Sequence, residues 1–312
     1  MKQFVTSLLL AGAMSLPASA ASLSSNAQTV IPSNVQQVIS VDYRDLRDSQ
    51  TALALRDRVM PDNVKQFETA LKGAGIDPNK DVEQLTFVSY RGPKNILRSV
   101  GIAQGALKQR DFLAKMKARK VKPEKYLLSD IYPMGSNGMQ MVFLDPTTIL
   151  FGENLAIKGA LDVRDNGAES VQTNSVISDL MTSVQNASIW SVLDQQGTQN
   201  MMRSALGQAG SLTDYDTIKK RLLASDYTMN FLNGVSFDLN IKTSDPVTAA
   251  TISGLMKAGV LYRQMSGTPT EKMAMQGTTV ESSNDLVQMH FKSSDQQFQA
   301  LLKSDLFAAV SK

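Results

Sequence analysis

Histidine occurs once in the chain, at His290, so any histidine-centred triad would depend on that residue. The alternation Val287, Met289, Phe291 sets His290 with Gln288 and Lys292 on the opposite, polar side of a strand. A neutral imidazole there has the means to act as a base. The chain has no G-x-S-x-G, H-E-x-x-H, P-loop or G-x-G-x-x-G pattern to supply the remaining parts, and a surface histidine is the expectation. Acids recur at Asp42, Asp45 and Asp48, three apart rather than at the alternate positions of an EF-hand. With Arg44 and Arg47 interleaved, they read as local ion pairs and a helix cap at Asp48, not as metal ligands. Ser253 and Lys257, four apart on a predicted helix, are spaced to meet as a serine and a lysine base, but nothing separates them from chance spacing.

Methionine is unusually common, with sixteen in all. Met139 and Met141, and Met273 and Met275, form M-x-M pairs that share a face if they lie in strands. Thioethers suit Cu(I), although alternating methionine is also what burial alone produces, and core packing is the favoured reading. Residues 108–125, "KQRDFLAKMKARKVKPEK", hold eight lysines and arginines against Asp111 and Glu124. Phe112, Leu113 and Met116 give this helix an apolar side and leave Lys115, Lys117, Arg119, Lys120 and Lys122 outside. Such a face suits anionic lipid or another acidic polymer, and equally a plain solvated helix. Nucleic acid is not expected, because aromatic residues are scarce there. In "TILFGENLAIKGALDVRD", residues 148–165, a strand, a glycine turn and a helix resemble a phosphate corner. Glu153 in the first helical turn would repel an anion, so Gly152 reads as a turn residue and Lys158 as a surface charge.

The first twenty residues combine Lys2, an apolar run from Phe4 to Met14, Pro17 and Ala18-Ser19-Ala20, which is the pattern of a secretory signal peptide cleaved after Ala20. That run is about half the ~20 residues a membrane span needs. The mature protein is therefore expected to be periplasmic or secreted, without a transmembrane segment. The chain has no cysteine, which excludes disulfides, a thiolate nucleophile, cysteine-bound metal and a lipid on the new N-terminus. Removing Lys2 with the leader takes the formal charge from +3 to +2, a balance that favours no particular partner. Residues 21–35 are small and polar and read as a flexible leader.

Beyond them, strand, helix, hairpin, helix, strands and helix follow in order, twice. Residues 36–165 and 187–312 read as two diverged α+β repeats joined by a helix in 166–186. Hairpins at Arg91-Gly92-Pro93 and Asn233-Gly234 make the strands antiparallel, so each repeat is expected to be an antiparallel sheet with helices packed on one face. The leader, the "VDYRDLRDS" start and the "FGENLAIKGALDVRD" close resemble a loose group of exported bacterial proteins of unknown function with a duplicated α+β architecture. That resemblance implies fold and export, and brings no catalytic residues.

If helices cover one side of each sheet, the other must meet a sheet, a chain or a ligand. In the second half that side would present Ser236, Asp238, Asn240, Gln288 and His290, with the sole tryptophan, Trp190, on the first strand. The expected function is a non-enzymatic exported protein, without cofactor or metal, that binds an unidentified ligand or envelope protein through this face or the groove between repeats. A periplasmic hydrolase using serine, lysine or aspartate is the first alternative, and Cu(I) or anionic-surface binding the second.

Overall fold

In the computed structural model, which describes residues 22–59, 62–134, 138–206 and 215–304, the period-two segments become strands of one antiparallel sheet. The expected signal peptide lies outside the described residues, as does Pro61. The first half runs α1 (Ser25–Gln28), β1 (Val35–Asp42), α2 (Tyr43–Arg47), α3 (Gln50–Val59), α4 (Asp62–Ala74), α5 (Pro78–Asp81), β2 (Val82–Arg91) and β3 (Leu97–Gly105). It continues with α6 (Gln109–Ala118), β4 (Glu124–Tyr126), β5 (Ser129–Pro133), β6 (Gln140–Asp145), β7 (Thr148–Gly152) and α7 (Asn154–Asp165). After α8 (Ser175–Val184), the second half runs β8 (Ile189–Leu193), α9 (Gln195–Leu206), α10 (Tyr215–Lys220), β9 (Leu222–Asn230) and β10 (Val235–Thr243). It ends with α11 (Pro246–Ser266), α12 (Pro269–Gln276), β11 (Thr278–Ser283), β12 (Leu286–Ser293) and α13 (Asp295–Leu302).

Among the described residues, twelve strands form a single sheet in the order β11-β12-β10-β9-β8-β1-β2-β3-β7-β6-β5-β4. The two halves are therefore not separate sheets. They join where β1 and β8 pair, with Gln37 opposite Leu193 and Val41 opposite Ile189. Outward from this seam both halves follow the same path: first strand, second, third, last, last but one. The short hairpin of β4 and β5 extends the first half only. The segment "KYLLSDIY" folds into that hairpin at Leu127, whose φ of 50° turns the chain back.

The sheet has a Trp190 face and a Phe151 face. On the Phe151 face, α4 and α6 bury Phe67, Leu71, Phe112 and Met116 against Leu85, Met141 and Phe151. Farther along the same face, α3 and α13 pack Leu55, Phe298 and Leu302 on Phe291. There α9 and α11 close over Leu239 and Val287 with Met202 and Ile252. On the Trp190 face, α1, α7 and α8 press Ala27, Ile157, Leu161 and Met181 onto Val88, Ile102, Leu150 and Trp190. Helices thus cover both sides of the first half; in the second, α8 reaches over β8 and onto β9 on the Trp190 face, and among the described residues no helix lies over β10, β12 and β11 there.

The cause is a difference of one residue at matching corners. Helix α7 starts three residues after Phe151, and α13 starts four after Phe291. Because side-chain direction alternates along a strand, the shorter corner sends α7 to the Trp190 face while α13 stays on the other. Gly152 makes the short corner possible, with φ at 150° and space for a Cβ only 3.2 Å from the Ser99 carbonyl oxygen.

Residues 22–34 are not the mobile leader that their polarity suggested. Leu23, Ala27 and Ile31, four apart, are buried, and Ser24 caps α1 between them. The Ile31 carbonyl accepts from Val171 N–H at 2.7 Å, and Ser33 N–H donates to Glu169 O at 2.9 Å. Deep in the first half, Gly101 stands in register between Phe87 and Phe151. Its missing side chain makes room for the Phe151 ring, which stacks on Phe67 at 3.5 Å between centroids.

Candidate functional site

Among the described residues, the uncovered part of the Trp190 face consists of β10, β12 and β11, with β9 at its margin, where α8 still reaches. Strand register places side chains across it in two polar rows. Thr228, Asp238, His290 and Thr279 lie opposite one another in the first. Asp226, Asn240, Gln288 and Glu281 form the second. Cross-strand neighbours on one face stand about 5 Å apart, so each row is a continuous run of polar groups.

Within the first row the His290 Nδ1 and an Asp238 carboxylate oxygen are 2.6 Å apart. An ionised carboxylate only accepts, so Nδ1–H donates and Nε2 is left facing outward. Both side chains are about half exposed, at 48% and 44%. In the second row the Asn240 amide donates to Asp226 Oδ1 at 2.8 Å, and Gln288 Nε2 donates to Asn240 Oδ1 at 3.4 Å. Asp226 is only 5% exposed. Burial pushes its carboxyl above the usual aspartate range, the bond from Asn240 opposes that shift, and the Asp238 charge adds to it. The surface thus holds a half-exposed carboxylate-imidazole pair beside a buried, amide-linked carboxyl, each locked by a neighbour.

Asp238, Asn240, Gln288 and His290 come together as expected from alternation, and Ser236 lies one row away, opposite Lys292. Trp190 does not join them. It is on the same face and in line with Thr228, but α8 roofs it. With Leu23, Val171 and Met181 it walls a narrow cleft edged by Gln28 and Ser178. The carboxyl that the sequence-based set lacks is Asp226, on β9. The period-two series Ala224, Asp226, Thr228 was the signal for a strand starting at Leu222.

The other candidates fall apart as chemistry. Asp42 caps α2 through Arg44 N–H at 2.8 Å and pairs with the Arg44 guanidinium at 2.9 Å. Asp45 accepts from the Ser188 hydroxyl, and Ser49, not Asp48, caps α3 through Ala52 N–H. Ser253 is buried while Lys257, one turn on, is exposed. The segment holding Met273 and Met275 is helical, because Thr268, Pro269 and Glu271 build a capping box ahead of it. Two residues apart on a helix diverge, so that pair cannot chelate; Met141 is wholly buried in the core.

Helix α6 does turn Phe112 and Met116 inward and leave Lys117 exposed, and Arg119, Lys120 and Lys122 are exposed in the segment after its end at Ala118. Lys115 is exposed too, with its ammonium lying against Gly75 at the end of α4. At the Gly152 corner Lys158 pairs with Glu124 and lies 5.1 Å from the Tyr126 ring centroid. Among the described residues there is no cluster of three or more histidine and acidic side chains fit to hold a metal. Nor is any helix among them long and apolar enough to cross a membrane.

These features define an α+β protein built on a single antiparallel sheet, part of one face of which is bare among the described residues. No family model matches the sequence, and no curated protein matches it. Among solved structures, crystal form I of TP0453 is similar, with a TM-score of 0.51 at 10% identity, covering 91% of this chain and 97% of that one. Crystal form III of TP0453 gives 0.49 at 10% identity over 88% and 96%. At such identity the likeness concerns the fold.

Proposed function

We propose that the protein is an exported, non-enzymatic binding protein that takes a polar ligand or envelope partner on the bare part of the Trp190 face, formed by β10, β12 and β11 with β9 at its margin. One observation carries this reading: among the described residues helices cover the rest of the sheet, and the part they leave bare bears the two locked polar rows. Preorganised side chains lose little freedom on contact, which favours recognition. Export rests on the leader pattern, and the shared strand path of the two halves supports their origin by duplication. The test is retention of an envelope component from extract by the chain from Ala21 onward, against the variant Asp238→Ala, Asn240→Ala, His290→Ala. Retention by the native chain and loss by the variant are expected; equal retention by both sinks the reading.

A second reading is hydrolysis, favoured by the position of Asp226, a carboxyl biased toward its protonated form beside the Asp238–His290 pair. A general acid and a general base held apart in this way are the usual parts of such chemistry. Turnover in a hydrolase panel that disappears in both Asp226→Asn and His290→Gln would displace the binding proposal.

A further inference from the structure

Helix α11 is 21 residues long and carries only two charged side chains, Lys257 and Arg263. One side packs into the core through Ala249 and Ile252, with Met256 and Val260 against the same cluster. The opposite side is spaced by threes and fours: Val247, Thr251, Gly254, Ala258, Leu261 or Tyr262, and Met265. At 100° per residue Lys257 falls to the flank of this stripe, and Arg263 points away from it to Glu271 at 3.5 Å. The outer face is therefore uncharged over five turns. Yet Val247 is 72%, Tyr262 66% and Met265 80% exposed. A helix apolar on all sides belongs in a buried setting, and among the described residues this chain covers only one side.

We propose that a second copy of the chain covers the other, with α11 pairing antiparallel to the partner's α11 about a two-fold axis near Ala258. The shape of the stripe selects this occupant and this direction. Its C-terminal half is bulky, and its N-terminal half is small apart from Val247 at the start, so antiparallel pairing lays Tyr262 and Met265 over the partner's Gly254 and Thr251. A two-fold contact needs such a self-complementary surface. Small residues also let the helices approach closely, since a Cβ added at Gly254 would meet nothing within 4 Å in the single chain. Bare side chains of this size offer about 150–200 Å² each. Four of them, at least half exposed, supply roughly 1,000 Å² for the pair, the lower limit of a specific interface. The expected dissociation constant is thus of micromolar order.

Sedimentation equilibrium of the chain from Ala21, from about 1 to about 200 µM, spans that range. A monomer–dimer equilibrium is expected, weakened at least tenfold by Leu261→Glu with Met265→Glu. Gly254→Leu separates specific pairing from simple stickiness, because the added side chain fits the monomer but fills the partner's landing site. It should weaken the dimer tenfold, whereas undirected apolar association would strengthen. The absence of native cysteine makes the direction directly readable. On oxidation, a mixture of Thr251→Cys and Met265→Cys chains should cross-link to each other, and Thr251→Cys alone should not. A monomer at every concentration, tighter association of Gly254→Leu, self-cross-linking of Thr251→Cys, or a monomer that instead floats with phosphatidylcholine vesicles would each overturn the proposal.

Discussion

The contact between Gly101 and Phe151 permits a worked test of how the first half is held together. A Cβ added at Gly101 would lie 1.9 Å from the tip of the Phe151 ring, where ordinary contact is about 3.5 Å or more. The ring would have to move by roughly 1.5 Å to restore that distance. It has nowhere to go, since Phe67 stacks on it at 3.5 Å and 8° and Phe87 meets it edge-on at 6.0 Å. Overpacking of a fixed core costs about 1–3 kcal/mol, and the sandwiched ring puts Gly101→Ala at the upper end. Replacing glycine gives back about 0.4–1 kcal/mol through the unfolded chain, leaving a net loss of about 2 kcal/mol. At roughly 2–4 °C per kcal/mol for a chain of this size, the melting temperature should fall by about 4–8 °C. Calorimetry and urea titration of Gly101→Ala, Phe151→Leu and the double variant measure the coupling, which should exceed about 1 kcal/mol because the smaller side chain relieves the collision. An unchanged melting temperature for Gly101→Ala, or additive losses in the double variant, would refute the picture of a clamped ring.

Three further outcomes follow from buried or capped charges. The folded state holds the Asp226 carboxyl above its ordinary pKa of 3.8, so its protonated form is favoured in the fold. Stability from that preference is full below 3.8 and is lost as pH rises through the folded value. Asp226→Asn, which keeps an acceptor for Asn240, should therefore melt higher than the native chain at pH 7, with the gap closing in acid; a gap independent of pH contradicts this. Asp245, which caps α11 through Thr248 N–H and hydroxyl, is held down at about 2 by those bonds. Its contribution is present above 3.8 and fades as pH falls toward 2, so the loss on Asp245→Ala should shrink across that window in melting scans. Arg56 pairs with the buried Glu68 at 2.5 Å, and Tyr43 donates to the same carboxylate at 2.9 Å. Arg56→Leu strands that charge and should cost about 3 kcal/mol in urea unfolding, whereas a loss below about 1 kcal/mol would mean that water reaches Glu68.

Alternation made the polar row of Asp238, Asn240, Gln288 and His290 legible, because it fixes side-chain direction whatever surrounds the strand. Hairpin glycines and caps likewise marked Asn233-Gly234 and Asp245-Pro246. Other features depended on what lies above the sheet, which period two does not encode. Trp190 has the parity of the bare face, but α8, arriving from earlier in the chain, covers it. The joining of two sheets into one was hidden for the same reason, since nothing in β1 or β8 alone declares its partner. Residues 22–34 misled through composition: serine and asparagine outnumber the apolar residues, yet Leu23, Ala27 and Ile31 have helical spacing. The segment at 269–276 misled through alternating methionines, when the capping box ahead of them decides for a helix.

The seam between β1 and β8 also bears on how the chain acquires its shape. Its paired residues are roughly 150 positions apart, so closing it is among the slower and more entropically costly steps. Until β8 arrives, β1 is an open edge carrying Val38, Ile39 and Val41, a template for pairing with another chain. A truncated or half-unfolded molecule would thus expose a strand whose natural complement is the β8 of any neighbour. Exchange of whole halves between molecules is the failure this architecture invites, and conditions that loosen the seam at high protein concentration are where such swapped species should accumulate.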